Sequence, residues 1–208
     1  MKNPPSRIYL SSRSPRRREL LRQIGVPFDL LLFRGGERGT DDDVDETPRP
    51  GEQAQPYVER LALAKAEAGV RRVQLRHLQL RPVLAADTTL AVDDEIVGKP
   101  GSQEEARTIL ARLSGRTHRV LTAVAISDGQ LTHHLTSVSE VRFRRLDERE
   151  IRQYVAVGES LDKAGAYAIQ GRAAIFVEEI RGSYSGIMGL PLFETAQLLE
   201  AFGYSVLS

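Results

Sequence analysis

One stretch near the start constrains what this chain can fold into: Ile8-Tyr9-Leu10-Ser11-Ser12-Arg13-Ser14-Pro15-Arg16-Arg17-Arg18-Glu19-Leu20-Leu21. A short apolar run of strand character ends in serines, and an amphipathic pattern (Leu20, Leu21, Ile24) begins behind them. Ser14 suits a helix N-cap, and Pro15 suits the first helical position, where its missing N–H costs nothing. The first turn then holds Arg16 and Arg17. A helix start already carries about half a positive charge, so acidic residues belong there and cations are electrostatically reversed. An anion lying between the guanidinium groups and the free backbone N–H groups removes the conflict, as at phosphate sites. A basic, solvated helix face is the plainer alternative in an arginine-rich chain. The order of strand, serines, Pro-Arg-Arg and helix favours a phosphate cradle, with Ser12, Ser14, Arg16 and Arg17 as its candidate groups.

With 208 residues, the expectation is one sizeable α/β domain spanning 1–208. An apolar content of 41% and a charged content of 27% are ordinary for a soluble globular protein. A net charge of +1 argues against a nucleic-acid binder driven by bulk charge. The absence of cysteine excludes disulfides and thiolate metal sites, leaving carboxylates as ligands for a hard cation. No apolar run approaches the roughly 20 residues that span a bilayer. The polar start, Met1 to Arg7, lacks an apolar signal region, so the expected location is the cytoplasm. Of the 29 basic residues only four are lysines: Lys2, Lys65, Lys99 and Lys163. The three internal ones are candidates for positions that need a compact ammonium rather than a planar fork, though chance persistence explains any single one equally well.

Along the chain, Phe28 to Phe33 reads as a strand and Arg34 to Gly51 as a polar, acidic loop. Glu52 to Ala68 has helical spacing, closed by Gly69, and Arg71 to Arg81 reads as a helix end and linker. Val83 to Ala86 is a buried-strand run that delivers Asp87 and Thr88 at its carboxyl end, where ligands bind in open α/β sheets. Asp93-Asp94 reads as a hairpin turn, followed by Gly98-Lys99-Pro100. Ser102 to Glu105 is a capping box opening a helix to Leu113. Thr117 to Ser127 and Gln130 to Arg144 are strand-like runs around the hairpin signal Asp128-Gly129. Asp147 to Glu150 opens a helix ending near Gly158. Asp162 to Gly171 is too small and glycine-rich for core and reads as a loop closely approached by something. Ala173 to Ile180 reads as a strand, Gly182 to Gly189 as a turn-rich loop, and Pro191 to Phe202 as a last helix.

Asp87 leads the chemical candidates. An acid ending an apolar strand is partly desolvated and can bind a metal or act as a general base; a capping role accounts for it equally well. Glu46 could share a cation with Asp87, although a solvated loop acid is the better account of it alone. Lys65 sits beside small alanines on a helix, where a snorkelling surface lysine is the favoured account. Lys99, on a rigid turn, can project toward a cleft. Gln170 offers one donor and one acceptor, the complement of a ring N–H beside a carbonyl, which is the edge that uracil and thymine present. The histidines (His77, His118, His133, His134) lack metal-ligand spacing and read as structural or surface residues, and there is no P-loop, G-x-G-x-x-G or G-x-S-x-G motif.

Together these motifs resemble those of the Maf family, often called septum-formation or Maf-like proteins. They are Ser-x-Ser-Pro-Arg-Arg (Ser12 to Arg17), Ala-x-x-Lys-Ala (Lys65), Ala-Asp-Thr (Asp87, Thr88), Gly-Lys-Pro (Lys99), Leu-Ser-Gly-x-Thr-His (Leu113 to His118), Asp-Lys-Ala-Gly-Ala-Tyr-x-Ile-Gln-Gly (Asp162 to Gly171) and Gly-Leu-Pro-Leu-x-Glu-Thr (Gly189 to Thr195). The resemblance implies hydrolysis of a nucleoside triphosphate to the monophosphate and pyrophosphate with a divalent cation, Mg or Mn. It implies an elongated, twisted mixed sheet flanked by helices around a deep central cleft, often in a homodimer. By the same resemblance Asp87 accepts the proton, Arg16, Thr88 and Gln170 select the nucleotide, and Arg17, Glu46, Lys65 and Lys99 form the phosphate and metal site. Asp162 and Lys163 are further cleft candidates. The form of the Asp162 motif resembles the subgroup acting on dTTP and UTP. The rival accounts are 7-methyl-GTP or another modified nucleotide as substrate, and a non-enzymatic regulator of cell division or nucleic-acid binder using Arg13 to Arg22 and Arg71 to Arg81. Residues 34–43 look like an expansion ahead of Glu46.

Overall fold

A computed structural model describes residues 7–31 and 44–207. The expansion at 34–43, and the end of the strand expected at 28–33, lie outside the described residues. Strand β1 (Ile8–Leu10) pairs in parallel with β2 (Phe28–Leu30) and with β3 (Val83–Val92). On its other edge β3 pairs antiparallel with β5 (Thr117–Ser127), and its far end also pairs with β4 (Glu95–Val97). The hairpin at Asp128-Gly129 joins β5 to β6 (Thr132–Phe143), which pairs with β7 (Val177–Arg181). The described strands make one mixed sheet in the order β2-β1-β3-β5-β6-β7.

The gap in this sheet positions the site. β1 is matched to β3 only at Val83 and Leu84, and β4 joins β3 only from Leu90. Between them one edge of β3 is unpaired by strands, while its other edge stays in continuous register with β5 from Val83 to Ala91. The strand expected to end at Ala86 therefore runs on to Val92. Asp87 sits mid-strand, not at a carboxyl end, and the end that faces the gap belongs to β1. Side chains alternate along a strand, so Asp87 and Thr88 leave opposite faces of the sheet.

Helix α2 (Ala54–Leu75) covers the face carrying Ala85, Ala91, Leu121 and Ala123. Helices α1 (Pro15–Gln23) and α6 (Leu192–Ala201) cover Leu84, Ala86, Val124 and Ile126 on the other. A third cluster gathers Leu90, Val141 and Phe143 with α3 (Gln103–Leu113) and α4 (Glu148–Ala156). Helix α2 does not stop at Gly69. A Cβ there would lie 2.6 Å from Val83 Cγ1 and 3.3 Å from Ser11 Cβ, so the glycine admits close approach of helix to sheet.

Three other expectations need correction. In the segment 162–171, Ala166, Tyr167 and Ile169 are core residues around a short 3-10 turn, Ala164–Ala166. What closely approaches this backbone is Leu90, whose Cδ1 would be 2.3 Å from a Cβ on Gly165 (φ +74). The strand expected at 173–180 opens as a 3-10 helix, Arg172–Phe176, ahead of β7. The loop expected at 182–189 contains a short helix, α5 (Tyr184–Met188), closed by Gly189 at φ +116.

Candidate active site

The serine turn forms as its sequence predicts. Ser14 caps α1, its hydroxyl accepting from Arg17 N at 3.4 Å, and Ser12 Oγ accepts from Ser14 N at 3.2 Å. Arg16 and Arg17 do not splay into solvent. Arg16 Nε donates to Met188 O at 3.1 Å and Arg17 Nε to Gly189 O at 2.7 Å. The carbonyls ending a helix lack intrahelical donors and favour cations, so the end of α5 accommodates arginines that the start of α1 disfavours. Arg17 Nη2 also donates to Thr88 Oγ1 at 3.1 Å. Thr88 lies 3.0 Å from Thr122 Oγ1, which is 2.7 Å from Gly186 O. A carbonyl only accepts, so Thr122 gives it its one proton and receives that of Thr88. This chain holds Thr88 with its lone pair toward Arg17.

Across the gap, on the α2 face, lies the carboxylate side. Lys65 is not a snorkelling surface lysine: it is 7% exposed, among Ala62 and Ala66. Its Nζ is 2.7 Å from Asp87 Oδ1 and 2.5 Å from Glu46 Oε1. Burial alone draws the ammonium's pKa down, and the two carboxylates more than reverse this, so it lies above the ordinary lysine value. Burial raises the Glu46 carboxyl, but Lys65 first, then Lys99 and Arg17, bring it below the ordinary value. Asp87 is 8% exposed. Tyr57, on the same helix as Lys65, is pushed up to about 12 by burial and by the charges of Asp87 and Glu46.

Both sides open into a cleft of about 370 Å³ that all twelve sequence candidates line. Lys99 stands on the turn after β4, whose Gly98 O accepts from Gly165 N at 3.1 Å. That bond ties the Lys99 turn to the segment carrying Asp162, Lys163 and Gln170. Asp162 and Lys163 are ion-paired, and Gln170 sits exposed at the rim. Burial lowers the Arg16 guanidinium, opposed by the charge of Asp162. Among the described residues no group of three His, Cys, Asp or Glu gathers as a metal cage.

Sequence reasoning missed several residues here. Thr122 faces Thr88 across the β3–β5 pair, a register no motif announces. Tyr57 and Arg60 stand one turn apart on α2, the helix that also carries Lys65, and their i, i+3 spacing was a readable signal. His118, expected to be structural, is buried with Nε2 2.8 Å from the hydroxyl of cleft residue Tyr167, and burial draws it down to about 4. His77, His133 and His134 are exposed.

The family described as Maf-like protein matches residues 7–202. The chain belongs to that family. The Maf-like chain is 71% identical over 204 residues to a protein named dTTP/UTP pyrophosphatase from Aromatoleum aromaticum, covering 98% of this chain and 99% of that one. It is 57% identical over 198 residues to one of the same name from Dechloromonas aromatica, covering 95% and 98%. The solved Ham1 protein of Staphylococcus aureus is 17% identical with a TM-score of 0.43, over 66% of this chain and 71% of that one.

Proposed function

We propose that this Maf-like protein hydrolyses dTTP and UTP to the nucleoside monophosphate and pyrophosphate. The supporting observation is the pairing across one cleft of an arginine pair at a helix start with a buried Asp87–Lys65–Glu46 cluster. Arg16, Arg17 and Lys99 meet the triphosphate, with Ser12 and Ser14 shaping the turn beneath it. Asp87 accepts the proton of a water attacking the α-phosphorus, and the bond from that phosphorus to the bridging oxygen breaks, releasing pyrophosphate. Lys65 bonds Asp87 Oδ1, leaving Oδ2 for the water. Catalysis is then chiefly positioning and charge neutralisation. Gln170 reads the base edge at the rim.

The donor set fits a hard divalent cation: Glu46 and Asp87 supply carboxylate oxygens, with no thiolate in the chain. Two protein carboxylates, with substrate phosphates completing the shell, are the usual setting for Mg or Mn. Such a cation supplies further neutralisation of the triphosphate.

Asp87→Asn keeps the shape and one oxygen for Lys65 while removing the base. Its dTTP turnover is expected to fall by about 10²- to 10⁴-fold with the fold intact by circular dichroism. Turnover within a few-fold of the parent protein would remove Asp87 from the role.

A further inference from the structure

Glu46 reaches Lys65 from a segment with no secondary structure of its own, and its side chain is 43% exposed. Something other than burial must fix it. Three consecutive carbonyls of that segment point at α2. Arg60 Nη1 donates to Asp45 O at 3.2 Å, Tyr57 Oη to Glu46 O at 2.9 Å, and Arg60 Nη2 to Thr47 O at 3.2 Å. The guanidinium is itself aimed by Glu52, which takes Nε and Nη2 at 2.7 Å each, and it lies 5.5 Å over the Tyr57 ring. Glu52 Oε2 also accepts from Arg49 N at 2.9 Å, closing the turn that leads into α2. A fork that spans two carbonyls while held by a carboxylate is a task for arginine and not for lysine.

We propose that Arg60 and Tyr57 are positioning residues that act through Glu46. Helix α2 carries the clamp and, five residues past Arg60, Lys65. One rigid element therefore sets both members of the Glu46–Lys65 pair, and the register between them cannot drift when the cleft fills. Glu46 needs this because its strand-borne partner Asp87 is fixed by the sheet, whereas its own segment has no ladder to fix it. The inference rests on the role given to Glu46 above.

The test is a cycle of Arg60→Gln, Glu46→Gln and the double variant, with Tyr57→Phe as a milder second break in the clamp. Partners that orient a ligating group typically carry about 10- to 100-fold in activity, and that loss in dTTP kcat/KM is expected for Arg60→Gln. In the Glu46→Gln background the same change is expected to cost nothing further, because the group it positions has lost its charge. Backbone amide exchange, read without substrate, is expected to quicken at 44–47 in Arg60→Gln and Tyr57→Phe but not along α2. Losses that multiply in the double variant, or unchanged exchange at 44–47, would overturn the clamp. A harmless Glu46→Gln beside an inactive Asp87→Asn would overturn it too, while leaving the hydrolase reading in place.

Discussion

Replacing Gly69 with alanine sets two opposed effects on one residue. Gly69 lies inside α2, where alanine is favoured over glycine by about 0.8–1 kcal/mol. On a free helix face the variant would gain that much. Here the new methyl would meet Val83 Cγ1 at 2.6 Å and Ser11 Cβ at 3.3 Å. Val83 is fully buried and paired on both sides, to Tyr9 and to Ser127. Its branched Cβ leaves little rotamer freedom, so the methyl cannot retreat. Overpacking of this kind costs about 1–3 kcal/mol, which outweighs the propensity gain over most of its range. The variant is expected to be less stable by up to about 2 kcal/mol, and at about 2–4 °C per kcal/mol for a chain of this size its melting temperature falls by up to about 8 °C. Thermal unfolding followed by circular dichroism reads this directly. The helix displacement also carries Lys65, one turn earlier, whose carbonyl lies 3.5 Å from Ser11 Oγ, so dTTP kcat/KM falls with it. A melting temperature that rises would show that helix propensity wins and that the contact between helix and sheet has slack.

Two further outcomes follow from the same geometry. Arg17→Lys keeps the charge but cannot span Gly189 O and Thr88 Oγ1 together; losing a hydrogen bond to a charged group costs about 1.5–3 kcal/mol, so kcat/KM for dTTP is expected to drop about ten- to hundred-fold, and an unchanged value would refute the fork. His118 titrates near 4 when folded and near 6.5 when not, because burial disfavours its charge; its share of stability is complete above pH 6.5 and is lost as pH falls toward 4, a change of about 3 kcal/mol at most. His118→Gln removes that dependence, so its melting temperature is expected to fall less than the parent's between pH 7 and pH 4.5, and parallel curves would contradict this.

Much of the site was legible because its residues are locally out of place. Arginines at a helix start, an acid after an apolar strand run and three internal lysines in an arginine-rich chain each break a local rule, and all of these line the cleft. Less legible was anything decided by an element's neighbours. Asp87 reads as a strand end because nothing in the sequence says that β5 will continue the ladder past it. Gly69 reads as a helix stop because the reason for the glycine, Val83, is fourteen residues away on another element. Lys65 reads as a surface residue because its two partners come from a strand and an irregular segment. The segment 162–171 reads as loop because alanine and glycine leave no periodic signal, although the backbone they free packs into the core.

Attack of water at the α-phosphorus, activated by Asp87, is the central step of the proposed reaction. Hydrolysis of dTTP in ¹⁸O-water, with products read by mass spectrometry and phosphorus NMR, tests it most directly. Attack at the α-phosphorus gives thymidine monophosphate carrying the label and unlabelled pyrophosphate. Diphosphate with labelled inorganic phosphate, or label in the pyrophosphate, would contradict it.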